Sequence, residues 1–202
     1  MRIMLALFAT LFISFHAHPL AAAGADAACG SPSAKAFYKA VQGLLTRSRK
    51  HGKDPEEFWS KDATFRKWVA NPKSILPAVE GYLQCHPSEV ADEVQVMTVP
   101  LQCLDLATYL DYVRRLTQAP KSTGYEFALH YAVAPGARWT NLLALHHDDA
   151  DVKSVLQEVM RAPNVTPALQ MMVSVVQGGG SQMGAASSTV KPLLLCQEPR
   201  GK

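Results

Sequence analysis

The feature that most constrains this chain is repeated punctuation, in which a capping side chain is followed by a helix-starting proline. Ser31-Pro32, Asp54-Pro55 and Thr166-Pro167 each place a side-chain oxygen where it can accept a helix N–H. Each then places a proline where no intrahelical N–H is needed. Between these marks the apolar residues recur at three and four. Phe37, Tyr38, Val41, Leu44 and Leu45 lie in one segment, Leu106, Tyr109, Leu110, Val113 and Leu116 in another, and Val152, Val155, Leu156 and Val159 in a third. That is the period of helices burying one face. Gly52 stops the first segment, whose last turn gathers Arg47, Arg49 and Lys50 at the negative end of the dipole.

Further starts are expected at Ser74, with Pro77 inside its first turn, and at Asp105. Others are expected after His86-Pro87, near Tyr125, near Trp139, at Asp148 or Asp149, and at Thr166. The sequence therefore predicts an all-α domain of eight to nine short helices in stacked hairpins, over residues 24–177. The β-rich run Val94–Val99 fits a strand, but fits a helix as well.

The N-terminus carries a different pattern. Arg2 precedes an apolar run from Ile3 to Phe15, Pro19 breaks it, and Ala21-Ala22-Ala23 follows. This is the layout of a secretory signal peptide over residues 1–23, with Ala27 as a second cleavage position, and the run is too short to span a bilayer. Removing Arg2 with the leader leaves 19 basic residues against 17 acidic ones, a formal charge of +2. So balanced a chain offers no electrostatic case for nucleic acid as a ligand. No integral membrane segment is expected after cleavage, and the protein is expected in the periplasm or outside the cell.

Cys29, Cys85, Cys103 and Cys196 all lie beyond the leader. An even number in an exported chain predicts two disulfides. Four cysteines allow three pairings; the expectation taken is Cys85–Cys103, with Cys29–Cys196 joining the ends. Residues 178–202 shift to glycine, serine and alanine, and read as a flexible tail held at Leu193-Leu194-Leu195-Cys196.

Candidate chemistry is sparse. His146-His147-Asp148-Asp149-Ala150-Asp151 is the densest polar cluster. Its acids open a helix and its histidines close another, which suits caps and dipoles. His147 and Asp148 are the metal-site candidates, with His130 and Asp105 or Asp111 as further partners. That dyad is similar to the one in the all-helical HD phosphohydrolases, a resemblance that implies metal-activated water attacking a phosphate. The stretch Leu145–Lys153 also resembles a HEAT repeat, in which an acidic turn precedes a second helix. That resemblance implies a curved protein-binding surface. No complete catalytic set or cofactor motif is present; Gly178–Gly184 lacks the lysine of a phosphate loop.

Trp59, beside the Phe58, Phe65 and Val69 stripe, is the expected partner-contacting aromatic. Asn164-Val165-Thr166 is formally a glycosylation acceptor. The expected function is an exported protein-binding module, by analogy with inhibitors or immunity proteins of secreted enzymes or toxins. The alternative is an HD-like phosphohydrolase.

Overall fold

The computed structural model describes residues 29, 31–52, 54–86, 88, 91–136, 138–180 and 196. The expected leader and nearly all of the expected tail lie outside them. The described residues form ten α-helices and one 3-10 helix, with no strand. In chain order the first four are α1 (Pro32–His51), α2 (Pro55–Lys61), α3 (Ala63–Ala70) and α4 (Pro72–Cys85). Then come α5 (Ala91–Thr98), the 3-10 helix (Val99–Cys103), α6 (Leu106–Thr117) and α7 (Thr123–Val133). The chain continues through α8 (Leu142–Leu145), α9 (Ala150–Val159) and α10 (Pro167–Gln177).

The caps explain most boundaries. Ser31, Asp54, Asp105, Ser122, Asp149 and Thr166 each accept a hydrogen bond from a first-turn N–H. Gly52 ends α1 in the left-handed conformation, at φ 65°. Thr166 accepts from the Leu169 N–H at 3.2 Å. Thr166→Ala is therefore expected to cost about 0.5–2 kcal/mol of unfolding free energy. Urea melts would measure it, and an unchanged midpoint would mean the hydroxyl contributes nothing to that helix start.

Three expected boundaries move. The helix assigned to Ser74 begins at Pro72, and Ser74 donates to the Asn71 carbonyl instead of capping. Pro77 thus lies within the helix, where its missing N–H forfeits a bond to the Lys73 carbonyl. The segment expected from Trp139 to His146 shrinks to the single turn of α8. The Asp54 segment breaks in two, because Asp62 caps a fresh helix by accepting from the Thr64 N–H at 2.8 Å.

The centre of the packing is the pair α5 and α7. α5 lies against α1 on one side and α7 on another, and α7 also meets α6 and α10; α9 closes on α6. In α5 and the turn after it, Val94, Val96, Met97, Val99 and Leu101 are all fully buried. This is why Val94–Val99 resembled a strand. A helix enclosed on nearly every side loses its polar stripe, and β-branched residues then accumulate. α8 is a single turn, too short to be the first helix of a HEAT pair, and the described arrangement gives no sign of a HEAT-like repeat.

The disulfide pairing corrects the expectation. The bonds are Cys29–Cys85 and Cys103–Cys196. Cys85 ends α4, which packs along α1, so it lies beside the start of α1 where Cys29 sits. Between Cys85 and Cys103 the chain builds eight residues of α5 and five of 3-10 helix. Together these advance it roughly 20 Å at ordinary helical rises. Bridged Cα atoms must approach within about 7 Å. Cys103 is bonded instead to Cys196.

Candidate functional site

A cavity among the described residues opens where α1 ends and α2 and α3 begin. It has a volume of about 740 Å3 and is lined by Arg47, His51, Asp54, Glu57, Phe58, Lys61, Asp62 and Ala63. Its shape follows from the local sequence. Gly52 turns the chain sharply out of α1, Asp54-Pro55 starts α2 at once, and Asp62 breaks the helix again after seven residues. Two short helices set at a break leave a recess that one long helix would fill.

Phe58 is half-buried in this cleft, with the His51 ring tilted against it at a centroid distance of 5.2 Å. Charged groups surround the pair. Arg47 donates from Nε and Nη2 to Asp62 Oδ2, at 3.0 and 2.8 Å. Lys61 meets Glu57 at 2.5 Å. Asp54 Oδ1 accepts the Glu56 and Glu57 N–H groups, and its Oδ2 accepts from Arg138. The Asp62 side chain is only 9% exposed. Burial acts to raise its carboxyl, but hydrogen bonds from Arg47 and the Thr64 N–H outweigh that and hold it below the usual carboxylate range.

Behind the cleft, Glu56 points the other way. Its Oε1 accepts from the Gln95 amide at 3.1 Å, and Gln95 also donates to the Pro135 carbonyl at 3.2 Å. Gly136, at φ 119°, lets the loop approach so closely that a Cβ there would stand 3.1 Å from Glu56 Oε1 and 3.2 Å from the Trp139 ring. Burial raises the Glu56 carboxyl, with the hydrogen bond from Gln95 opposing. Glu56 thus takes up a proton more readily folded than unfolded. Its charged form opposes folding above the raised value, and that opposition fades as pH falls through it. Glu56→Gln is accordingly expected to melt above the wild type at neutral pH, with the gap narrowing on acidification. A gap that widened toward acid would reverse the sign and overturn this assignment.

The residues singled out from sequence fall elsewhere. Trp59 is buried, 3% exposed, and packs on Phe65 at 6.4 Å. This corrects its expected role as a surface anchor. Trp59 enters the core, whereas its neighbour Phe58 lines the cleft.

His147 and Asp148 occupy the turn between α8 and α9. His147 Nε2 lies 3.3 Å from Asp148 Oδ2, its Nδ1 lies 3.0 Å from the Ala144 carbonyl, and Asp148 is 86% exposed. Gly179, at φ 76°, presses on the imidazole, where a Cβ would come within 3.0 Å. That ring therefore serves as packing for the end of α10. Asp105 caps α6 and pairs with Lys73 at 2.8 Å, and Asp111 pairs with Arg114. His130 is largely buried, which lowers its imidazole. Among the described residues no three of these donor types gather where they could hold a metal ion.

Sequence reasoning also missed what two of the buried amides do. Gln102, 1% exposed, donates to Tyr109 Oη at 2.6 Å and to the Ala132 carbonyl at 3.3 Å, and accepts from the Leu142 N–H at 2.9 Å. Asn164, the formal glycosylation acceptor, is 2% exposed, accepts from the Ser122 N–H and donates to the Ala119 and Pro120 carbonyls. Its amide is spent inside the fold. No pattern marks such residues in a sequence, since most of their partners are distant along the chain.

Among the described residues no helix is long and apolar enough to cross a membrane. Two disulfides are compatible with an oxidising compartment. Comparison with models of known families, with curated proteins and with solved structures finds no match for this chain.

Proposed function

We propose that this chain is an exported protein-binding module whose partner docks in the cleft between α1, α2 and α3. The observation that carries the reading is the cleft itself: an aromatic pair, Phe58 and His51, ringed by charged side chains in a recess of about 740 Å3. An apolar aromatic centre with a polar rim is the usual anatomy of a protein interface, and aromatic anchors carry much of its energy. Two disulfides and a leader-like N-terminus support an extracytoplasmic setting. Within that class, an inhibitor or immunity-type partner of a secreted enzyme or toxin suits a small cross-linked helical body. The phosphohydrolase alternative is not favoured, because His147 is engaged with Ala144 and Gly179 and Asp148 with Lys153 at the surface.

The test is capture from the host's exported fraction by the wild type and by Phe58→Ala in parallel. A discrete protein is expected to bind the wild type stoichiometrically and the variant at least about tenfold more weakly, as for a truncated aromatic anchor. Equal capture by both would remove the cleft from the interface. If the captured protein is an enzyme, stoichiometric addition of the wild type is expected to suppress its activity.

A further inference from the structure

We propose that the two disulfides differ in kind: Cys29–Cys85 is a redox-exchange site open to a dithiol reductant, whereas Cys103–Cys196 is a permanent cross-link. All four cysteines are half-buried, so exposure alone does not separate the bonds. Their surroundings do.

Cys103 and Cys196 pack against the hydrophobic core. The chain neighbours of Cys103, Gln102 and Leu104, are 1% and 5% exposed. Asp105, the nearest charge along the chain, is paired with Lys73 at 2.8 Å and so brings no net cation to the bond. Apolar surroundings of this kind disfavour the thiolates through which exchange runs.

Cys29 and Cys85 instead form part of the wall of a recess of about 210 Å3, with Lys35, Tyr38, Tyr82 and His86 around them. A space of that size holds several water molecules, enough to receive an incoming thiol beside the bond. Rings on α1 and at the end of α4 fix its shape. Tyr38 stacks on Tyr82 at 5.7 Å and on His86 at 4.9 Å, and Tyr82 meets His86 at 4.7 Å. The recess therefore belongs to the folded state, and exchange there needs no unfolding. Lys35 supplies a cation, and among the described residues no carboxylate lines the recess. An ammonium beside a disulfide stabilises both the attacking and the departing thiolate, and a thiol of lowered pKa leaves faster.

In the first step one thiolate of the dithiol attacks Cys85 Sγ and forms a mixed disulfide. The Cys29–Cys85 bond breaks and Cys29 departs as thiolate. Cys29 is the better leaving group, because Cys85 ends α4, where the carbonyl end of the helix opposes a negative sulfur. The second sulfur of the dithiol then displaces Cys85, so the dithiol is oxidised to its own disulfide. Its two protons end on Cys29 and Cys85, which completes a two-electron reduction of the bond.

The experiment exposes the full chain, with both disulfides intact, to dithiothreitol under native conditions. Samples are quenched in acid and alkylated, and the modified cysteines are located by mass spectrometry. Cys29 and Cys85 are expected to be labelled at least about tenfold faster than Cys103 and Cys196, at a rate proportional to dithiothreitol. Circular dichroism is expected to keep its helical signal at that stage. Lys35→Glu, a change at an exposed position of α1, is expected to slow the fast phase about threefold or more. The melt of the oxidised variant should stay close to wild type.

Equal rates for the two bonds, or earlier loss of Cys103–Cys196, would overturn the proposal. A rate independent of dithiothreitol concentration would also overturn it, since the bond would then be reached only through unfolding. Loss of the helical signal with Cys29–Cys85 alone reduced would make that bond a structural one. An unchanged rate in Lys35→Glu would overturn the part assigned to the lysine.

Discussion

Gln102→Ala is expected to lower the unfolding free energy by about 2–4 kcal/mol, among the largest effects of any single substitution of a polar residue here. Gln102 lies in the 3-10 helix and joins three elements at once. Its amide nitrogen donates toward Tyr109 of α6 and the carbonyl of Ala132 near the end of α7, and its oxygen takes the N–H of Leu142 as α8 begins. Tyr109 itself donates to the Ala132 carbonyl at 2.7 Å, so that carbonyl keeps a partner in the variant. The Leu142 N–H does not, because no side chain remains to receive it. The loss combines one orphaned donor with the cavity left by the missing side chain, and both terms have the same sign. In a domain of this size it corresponds to a fall in melting temperature of about 4–16 °C. Urea and thermal melts would check it, and a variant within about 0.5 kcal/mol of wild type would mean that water or a rearranged backbone replaces the amide.

The second large effect concerns the disulfides, and it tests the pairing as well as the stability. The bonds close sequence separations of 56 and 93 residues. Loop-closure entropy sets ceilings of about 4.2 and about 4.7 kcal/mol, and removal of either bond is expected to cost about 2–4 kcal/mol in practice. The matched double variants Cys29→Ala/Cys85→Ala and Cys103→Ala/Cys196→Ala should each leave the other bond intact and show no titratable thiol. The mismatched double variant Cys85→Ala/Cys103→Ala should strand Cys29 and Cys196 and show two. A mismatched variant without free thiols would refute the observed pairing, and full reduction without any change in melting would refute a structural role for both bonds.

The helical content was legible in the residues for a local reason. A cap, a first-turn proline and an apolar period act within a few residues of one another, and tertiary contacts had little to override in α1, α6, α9 or α10. The same locality explains the misplacements. Asp62 carries a capping oxygen inside a stretch whose apolar spacing otherwise continues, and only the competition between capping and helix propagation made it a boundary. Ser74 offered a cap that Asn71-Pro72 made redundant.

What the sequence determined by itself was therefore the vocabulary: short amphipathic helices, their starting caps, two cross-links and a near-neutral chain. Only the tertiary structure decided which cysteines meet, that Trp59 faces inward while Phe58 faces a cleft, and that Gln102 and Asn164 are interior staples. The physical reason is range. Caps and periods are written in neighbouring residues, whereas a pairing or a cleft depends on how rigid rods of unequal length pack.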